Sequence, residues 1–346
     1  MKLSLQPVSA AMREPLVAGH GAVAARDLLL VSLEAADGVC GYGEAAPLAS
    51  YDGVSMPAVR AALEACRPVL AAADRLAPAD VIARCAEVTL VRPALAAIDL
   101  ALWDVAGRRA GQPVWRLLGA AQPTSGPVAV NWTIASADRA GASREAGQAR
   151  AEGFTTVKAK VAIGDDGGRL AAIRAAAGPA MAIRIDANGT WSPREAEAWL
   201  RVLTPIGIEL CEEPVHGVEA IRALRALTEI PLALDESASE PDALSDAAAD
   251  FVCLKIAACG GISGVIAAAR RARAAGYRVY LASTLDGPLG IAAALHAAAA
   301  IAPDAACGLA TLALFADRPD PLPPHGGAIA PPSAPGLGEG LTRWYG

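Results

Sequence analysis

The chain of 346 residues lacks any apolar run that approaches the roughly 20 uninterrupted residues of a membrane-spanning helix. The apolar run at its N-terminus, residues 1–7, is too short for a signal peptide. Its formal net charge of −6 is spread along the chain and forms neither an acidic tail nor a basic stripe. We therefore expect a cytoplasmic protein that binds neither membranes nor nucleic acid.

Paired metal or disulfide cysteines are also missing. The seven cysteines are odd in number, scattered and never arranged as C-x-x-C: Cys40, Cys66, Cys85, Cys211, Cys253, Cys259 and Cys307. None of the four histidines supplies a second ligand at the short spacing that zinc sites require. We expect free thiols in a reducing compartment rather than a zinc site or disulfides.

The N-terminal third has the pattern of an α+β unit. Strands are predicted over Leu28–Leu33 and Gly41–Ala45, around a turn at Asp37-Gly38. Helical patterns follow over residues 57–71, 79–87 and 93–110. Residues 1–120 are therefore predicted to form a small domain separate from the rest of the chain.

From Pro127 onward, strands alternate with helices, and no glycine-rich dinucleotide fingerprint follows the first of these strands. Eight strand candidates lie near residues 127, 155, 181, 207, 230, 250, 277 and 305, and we expect helices after seven of them. This α/β pattern predicts a (β/α)7β TIM-like barrel over residues 121–316, with residues 1–120 as an α+β capping domain. The proline- and glycine-rich segment 317–346 is expected to pack back on that domain as irregular structure.

Five charged residues end five successive apolar runs, at separations of 26, 26, 23 and 20 positions: Lys160, Asp186, Glu212, Asp235 and Lys255. This interval is the length of one strand, one helix and their loops, so all five are expected at the same mouth of the barrel. In the strand T-T-V-K-A-K-V, the period of two places Lys158 beside Lys160 on the inward face. Two inward lysines are costly unless something anionic faces them. In the run F-V-C-L-K-I-A, burial of Lys255 without a partner would depress its pKa.

The carboxylates lie in the motifs I-R-I-D-A-N, E-L-C-E-E-P and L-A-L-D-E-S. Any one of these acids could simply cap the segment that follows it, but three in register indicate a shared role. Three adjacent carboxylates need a cation, and oxygen ligands without histidine or thiolate favour Mg²⁺, or Mn²⁺ as a substitute. At the second motif the residues leave open whether Glu212 or Glu213 is the ligand.

This arrangement suits abstraction of a proton next to a carboxylate, which is a very weak acid. The metal would stabilise the enediolate that forms, and a lysine with a depressed pKa would remove the proton. The opposing lysine would reprotonate the other face or stabilise charge.

Taken together, the motifs resemble the enolase superfamily, specifically its muconate lactonizing enzyme subgroup. The resemblance spans nearly the whole chain, from Gly41–Pro47 and Ala97–Leu118 to the K-A-K, D-A-N, E-E-P and D-E-S motifs, Leu254-Lys255-Ile256 and Gly260-Gly261-Ile262-Ser263. It implies metal binding by Asp186, Glu212 and Asp235, and supporting roles for Asn188, Glu213 and Glu236. It also implies mobile loops near Pro15–Gly21 and Leu48–Gly53 that close over the substrate. The mandelate racemase branch is disfavoured because Val279–Asp286 contains no histidine.

Segments near the last two strands resemble actinobacterial-type o-succinylbenzoate synthases: Ser283–Asp286, Gly290–Ala293, Ala306–Thr311 and Pro335–Gly338. That resemblance implies a dehydration in menaquinone biosynthesis, with Lys160 as the base, Lys255 stabilising the enediolate and Lys158 as a further catalytic lysine. The substrate, a small carboxylate, is expected to contact Tyr51, Ser283, Leu285, Asp286, Gly308 and Leu309.

Other reactions and roles remain open for this fold. They are dipeptide or N-acylamino acid epimerisation, muconate-type cycloisomerisation and a non-catalytic metabolite-binding barrel. The absence of an acid after Asp304 on the last strand counts against substrates that carry an amine. A homo-oligomer is compatible with the alanine-rich composition.

Overall fold

An antiparallel sheet of three strands in the order β1-β2-β3 forms the N-terminal part of the protein. The structure, a computed structural model, describes residues 1–18, 21–74, 76–120 and 126–346. The three strands are β1 (Lys2–Ala18), β2 (Gly21–Glu34) and β3 (Cys40–Ala45). The predicted turn joins β2 to β3, and Gly38 adopts a φ of 81° there, in the left-handed region that glycine tolerates.

Strand β1 is absent from the sequence-based prediction. The apolar alternation of this segment is broken at Pro7 and at Ala10-Ala11, so the segment lacks the pattern of a half-buried strand. In the structure it pairs with β2 from Lys2↔Glu34 to Ala18↔Gly21. Pro7 is tolerated because β1 is an edge strand. These strands take up most of the loop expected at Pro15–Gly21, and residues 19 and 20 of that loop lie outside the described residues.

The predicted helices of this part are confirmed to within two residues as α2, α3 and α4, with the short α1 and α5 beside them. The bounds are α1 (Ala49–Asp52), α2 (Met56–Ala71), α3 (Pro78–Val88), α4 (Arg92–Ala110) and α5 (Val114–Leu117). Helix α4 lies directly against β3. A Cβ atom at Gly43 would stand 2.0 Å from the carbonyl oxygen of Ala97, and one at Gly41 would stand 2.3 Å from that of Ala101. The two glycines are therefore required by this close approach.

The second part is the barrel, and the predicted fold class is confirmed. Its parallel sheet has the consecutive order β11-β10-β9-β8-β7-β6-β5. Bridges Ala282↔Gly308 and Val130↔Cys307 join the two edges, so the segment around Cys307 stands as the eighth member. The strands are β4 (Val128–Ala129), β5 (Trp132–Ile134), β6 (Thr156–Lys160), β7 (Ala182–Asp186), β8 (Ile208–Glu212), β9 (Leu232–Leu234), β10 (Phe251–Leu254), β11 (Arg278–Leu281) and, in the tail, β12 (Ala328–Ile329), which pairs with β4.

The helices of the barrel are α6 (Arg139–Ala151), α7 (Asp166–Ala177), α8 (Pro193–Leu203), α9 (Val218–Arg225), α10 (Ile256–Cys259), α11 (Ile262–Ala274) and α12 (Pro288–Ile301). The expectation of a helix after each of seven strands is wrong at β9, which a 3-10 turn over Glu236–Ser239 follows. Pro241 and the positive φ of 59° at Asp242 prevent that turn from continuing as an α-helix. Among the described helices, none combines the length and apolarity needed to cross a lipid bilayer.

The C-terminal tail packs against both parts of the protein. The backbone N–H of Leu337 donates to Asp104 Oδ1 of α4 at 2.7 Å. The 3-10 turn Leu341–Tyr345 places the Tyr345 hydroxyl against the carboxylate of Glu44 on β3. The division of the chain near residues 120 and 317 stays a prediction.

Glu44 joins three segments that are distant in sequence. Its carboxylate accepts hydrogen bonds from the Gly287 backbone N–H (2.8 Å), at the start of α12, and from the Tyr345 hydroxyl. Burial, and then the nearby charge of Asp286, raise the pKa of Glu44 to about 8. The Arg26 guanidinium stabilises the same region by donating to the carbonyl oxygens of Ala46 and Pro47, at 2.9 and 2.8 Å.

We expect Glu44→Gln to stabilise the protein increasingly as pH rises. In the wild type, the raised pKa of Glu44 means that folding favours the protonated acid. Its contribution is fully present below the unfolded pKa and is lost as pH rises toward 8, whereas a glutamine does not titrate. The difference in free energy of unfolding should grow by about 1 kcal/mol or more over this window. Thermal unfolding of both proteins from pH 4.5 to 8.5 measures it, and a pH-independent difference would contradict the prediction.

Candidate active site

The C-terminal ends of the barrel strands bring the charged residues together. Lys160 ends β6, Asp186 ends β7 and Glu212 ends β8, and these three residues are direct partners across the parallel ladder. Asp235 follows β9 and Lys255 follows β10. Lys160 and Lys255 are thus four strands apart in an eight-membered barrel, on opposite sides of its mouth.

Lys158 and Lys160 share one carboxylate. Lys160 Nζ donates to Asp186 Oδ2 at 2.6 Å and to Asn188 Oδ1 at 2.7 Å. Lys158 Nζ lies 2.8 Å from Asp186 Oδ2 and 2.6 Å from Glu212 Oε1. The inward lysines therefore have anionic partners, as the cost of burying a charge requires.

The third lysine pairs with the third acid. Lys255 Nζ donates to Asp235 Oδ2 at 2.6 Å and lies 3.9 Å from the centre of the Tyr51 ring, a cation–π contact. The Tyr51 hydroxyl donates to Asp235 Oδ1 at 2.8 Å. Tyr51 belongs to α1, so this contact fixes the expected closing segment Leu48–Gly53 over the barrel mouth.

Three further polar residues lie behind these pairs. Asn188 accepts from Lys160 and donates from Nδ2 to Glu236 Oε1 at 2.9 Å. Glu213 accepts from the backbone N–H groups of Asp235 (2.7 Å) and Ser237 (3.0 Å), which fixes the strand end that carries Asp235. Burial, and then the charge of Glu236, raise the pKa of Glu213 to about 8.

The expectation of a depressed pKa is wrong for Lys255, whose pKa is raised, as is that of Lys158. Burial lowers the pKa of each lysine, but the adjacent carboxylates outweigh it, and the pKa of each is raised. The pKa of Asp186 is lowered, because Lys158 and Lys160 overcome the effect of its burial. Burial raises the pKa of Glu212 to about 7 against the opposing charge of Lys158. The sequence argument counted burial but could not count the neighbouring charges.

The donor set fits a hard divalent cation. Oxygen atoms of Glu212 and Asp235 and the sulfur of Cys253 lie within 4.8 Å of one another, and Asp186 stands next to Glu212 in the ladder. Burial, and then the charge of Asp235, raise the pKa of the Cys253 thiol, and a sulfur donor does not suit a hard cation such as Mg²⁺. The remaining donors are carboxylate oxygens, which suit Mg²⁺. A bound divalent cation would also neutralise part of the carboxylate charge, which is what raises the pKa values of Lys158 and Lys255.

One cavity at the barrel mouth contains the lysines together with four of the six predicted substrate contacts: Tyr51, Ser283, Leu285 and Gly308. Asp286 and Leu309 are buried and are not among its described lining residues. Asp286 accepts from Thr284 Oγ1 at 2.7 Å and faces the interface that contains Glu44. The resemblance of Ser283–Asp286 to o-succinylbenzoate synthases named Asp286 as a substrate contact, and that role stays a prediction.

Several lining residues are missing from the sequence-based prediction. They are Val23, Asn131, Thr133, Ala282, Thr284, Thr311 and Leu314, whereas Leu16, Gly21, Leu48 and Ser50 lie in the two segments that were expected to close over the substrate. Thr133 was detectable, because it occupies on β5 the level that Lys158 occupies on β6. Val23 was not, because its place over the mouth depends on how the first sheet docks on the barrel.

Tyr280 is a further residue that the sequence did not indicate. Its hydroxyl donates to Glu212 Oε2 at 2.6 Å from the middle of β11. Arg184 lies over the same ring, 5.1 Å from its centre. An aromatic residue in an apolar strand gives no sign of such a role, since packing in the core explains it equally well.

Comparison with known proteins agrees with this architecture. Residues 2–119 match the model of the mandelate racemase / muconate lactonizing enzyme N-terminal domain, and residues 141–343 match the enolase C-terminal domain-like model. The capped barrel with acids and lysines at its mouth therefore defines an enolase-type protein. The chain belongs to the mandelate racemase / muconate lactonizing enzyme group of the enolase superfamily.

The relatives of known activity are enzymes with different reactions. The chain is 32% identical to muconate cycloisomerase 1 of Rhodococcus opacus, with 95% of this chain and 93% of the relative covered. It is 37% identical to o-succinylbenzoate synthase of Thermobifida fusca, with 60% and 68% covered. A dipeptide epimerase from Cytophaga hutchinsonii, solved with Mg and the dipeptide D-Ala-L-Val, superposes with a TM-score of 0.89 at 25% identity, covering 99% and 98% of the two chains.

We expect Tyr280→Phe to weaken divalent-cation binding roughly 10-fold, because residues that orient a metal ligand commonly matter by that amount. Titration calorimetry with Mg²⁺ and Mn²⁺ would measure the change in Kd. Tyr277→Phe is the matched control, since that hydroxyl bonds only backbone groups remote from Glu212, among them the N–H of Ala248 at 2.9 Å. Equal affinities for wild type and Tyr280→Phe would show that Glu212 does not depend on this hydrogen bond.

Proposed function

We propose that the protein abstracts a proton adjacent to a substrate carboxylate, with Asp186, Glu212 and Asp235 as ligands of Mg²⁺. The observation that carries the proposal is the placement of Lys160 and Lys255 on opposite sides of one cavity, with the three carboxylates between them. When bound, Mg²⁺ would supply Lewis-acid stabilisation of the negative charge that develops on the carboxylate.

The lysine usage of the chain supports a proton-transfer role. Three of its four lysines lie in this site, whereas all 26 other basic residues are arginines. Arginine does not lose its proton in proteins, so it cannot serve as a base. If these lysines served only as counter-charges for the carboxylates, arginines could stand in their place, since arginine is the basic residue that the chain uses most.

The leading specific reaction is the dehydration that forms o-succinylbenzoate, a step of menaquinone biosynthesis. In it, Lys160 takes the proton next to the ring carboxylate and returns it to the departing hydroxide, so that water leaves from the same face. Lys255 stays protonated and stabilises the enediolate from the other face. The raised pKa of Lys255 suits that role, and Asn188 orients Lys160 through its 2.7 Å contact.

The lining disfavours substrates with a free amine. The described carboxylates that line the cavity, Asp186 and Asp235, are both paired with lysines and are needed for the metal. The segment that closes the barrel, Cys307–Thr311, offers no acid. An ammonium group would therefore be desolvated without a counter-charge, which argues against unprotected dipeptides.

Racemisation of an N-acylamino acid is the second candidate. The two opposed lysines favour it, because one can remove the proton from one face while the other returns a proton to the opposite face. An acyl group removes the amine charge that the cavity cannot accommodate.

The test of the leading reaction is turnover of 2-succinyl-6-hydroxy-2,4-cyclohexadiene-1-carboxylate with Mg²⁺ or Mn²⁺, followed by loss of the diene absorbance. A sample with chelator serves as control. Metal-dependent loss of absorbance supports the dehydration. If the folded, metal-loaded protein gives none, N-succinylamino acids in deuterium oxide come next, with exchange of the α-proton as the readout.

Lys160→Ala is expected to lower kcat roughly 1000-fold, the scale of losing a general base. Because Lys160 is partly exposed at the barrel mouth, the fold should survive, which thermal unfolding checks. Lys2→Ala is the matched control: Lys2 is an exposed lysine that pairs only loosely with Glu34, at 3.8 Å. Turnover that survives Lys160→Ala would overturn the assignment.

Lys255→Ala separates the two candidate reactions. A racemase that lost Lys255 would still exchange the α-proton of one stereoisomer through Lys160 but would not interconvert the two stereoisomers. A dehydratase that lost Lys255 would still form product, but more slowly, because only the stabilisation of the enediolate charge is lost. Deuterium exchange by NMR and product formation, measured on the same variant, distinguish these outcomes.

A further inference from the structure

Asn131 presents a buried hydrogen-bond donor that has no partner. The residue follows β4 and precedes β5 in the chain, is 2% exposed and lines the same cavity as Lys158, Lys160 and Lys255. Its Nδ2 atom has no hydrogen-bond partner among the described residues. An unsatisfied buried donor is costly, and native structures keep few of them without a reason.

The hydroxyl groups on the last two strands of this lining already have hydrogen-bond partners. The hydroxyl groups of Ser283 and Thr311 bond each other at 2.9 Å, and that of Thr284 donates to Asp286 at 2.7 Å. Of the described residues around the cavity, Asn131 is the one that has a buried side-chain atom without a partner. A ligand oxygen at this place would gain a hydrogen bond that the protein itself does not supply.

The segment that closes the barrel around Cys307 holds Asn131 in place. Its backbone N–H donates to the Cys307 carbonyl oxygen at 3.0 Å, beside the bridge that closes the barrel. Gly308 carries no side chain there, and a Cβ atom on it would stand 3.5 Å from Asn131 Oδ1. The segment around Cys307, the eighth member of the barrel, is four strand positions from β8, which carries Glu212. Asn131 therefore lies across the mouth from the carboxylates.

We propose that Asn131 is a substrate-positioning residue whose Nδ2–H donates to a carbonyl oxygen on the part of the substrate distant from the reacting carboxylate. The inference rests on the proposed function and narrows its substrate class. The substrate carries a ketone or amide carbonyl on a second arm, and a neutral amide donor recognises that oxygen. A carbonyl suits this donor because it accepts a hydrogen bond without bringing a further charge into the cavity.

The test is binding of a matched pair of ligands to the Mg²⁺-loaded protein by titration calorimetry. The pair is o-succinylbenzoate and 2-(3-carboxypropyl)benzoate, which differ only by a methylene in place of the ketone. Wild type should bind the ketone roughly 10-fold more tightly, the scale of one hydrogen bond. Asn131→Ala and Asn131→Asp should both abolish this preference, because neither can donate to the carbonyl.

A second readout separates positioning from a structural role. Since Nδ2 has no protein partner, Asn131→Ala should leave the Tm unchanged or raise it. Lower Tm with equal loss of affinity for both ligands would overturn the inference, as would a wild type that binds the two ligands equally or binds neither. Neither ligand carries a hydrogen on the ring carbon that bears the carboxylate, which is the position that Lys160 deprotonates in the proposed dehydration. The result therefore does not depend on that turnover and is distinct from failure of the dehydration assay.

Discussion

The charge balance at the barrel mouth is the interaction on which the rest of the structure depends. Asp186, Glu212 and Asp235 meet at three adjacent strand ends, and Lys158, Lys160 and Lys255 face them at 2.6–2.8 Å. Neither the three carboxylates nor the three lysines could be buried without the other group, because an unpaired charge in the interior is strongly destabilising. The pairing keeps six ionisable groups inside one site, and the carboxylates raise the pKa values of Lys158 and Lys255. A cation bound by the carboxylates would neutralise part of their charge and so lower the pKa values of Lys158 and Lys255 again.

Placing those groups requires close packing of the surrounding elements. Helix α4 approaches β3 so closely that only glycine fits at positions 41 and 43, and α4 and α12 are buried on nearly every side. Their many alanines therefore have a physical reason beyond helix propensity, since larger side chains would push the elements apart. The same packing docks the first sheet over the barrel. That docking brings Leu16, Val23 and Tyr51 to the cavity, so part of the site is built from residues outside the barrel.

The sequence predicted those features that depend on local pattern. Period-two alternation located Lys158 and Lys160 on one strand face, and the regular interval of about one βα unit located the three acids. The sequence-based prediction failed where contacts between distant segments decide the local structure. Strand β1 exists because β2 supplies its hydrogen bonds, despite Pro7 and a weak apolar pattern. The helix expected after β9 is replaced by a 3-10 turn. The pKa of Lys255 is raised rather than depressed because Asp235 of the neighbouring strand lies 2.6 Å from its Nζ.

By itself, the sequence determined the barrel class, the order of its strands and the residue types at its mouth, because hydrophobic periodicity and the spacing of charged residues are local properties of a chain. Only the tertiary structure decided which charges pair, that Tyr280 bonds Glu212, that Asp286 faces Glu44 rather than the cavity, and that Asn131 keeps a donor without a partner. These features depend on distances between segments far apart in sequence. Such distances are fixed by how sheets, helices and the tail pack, and no pattern within one segment records them.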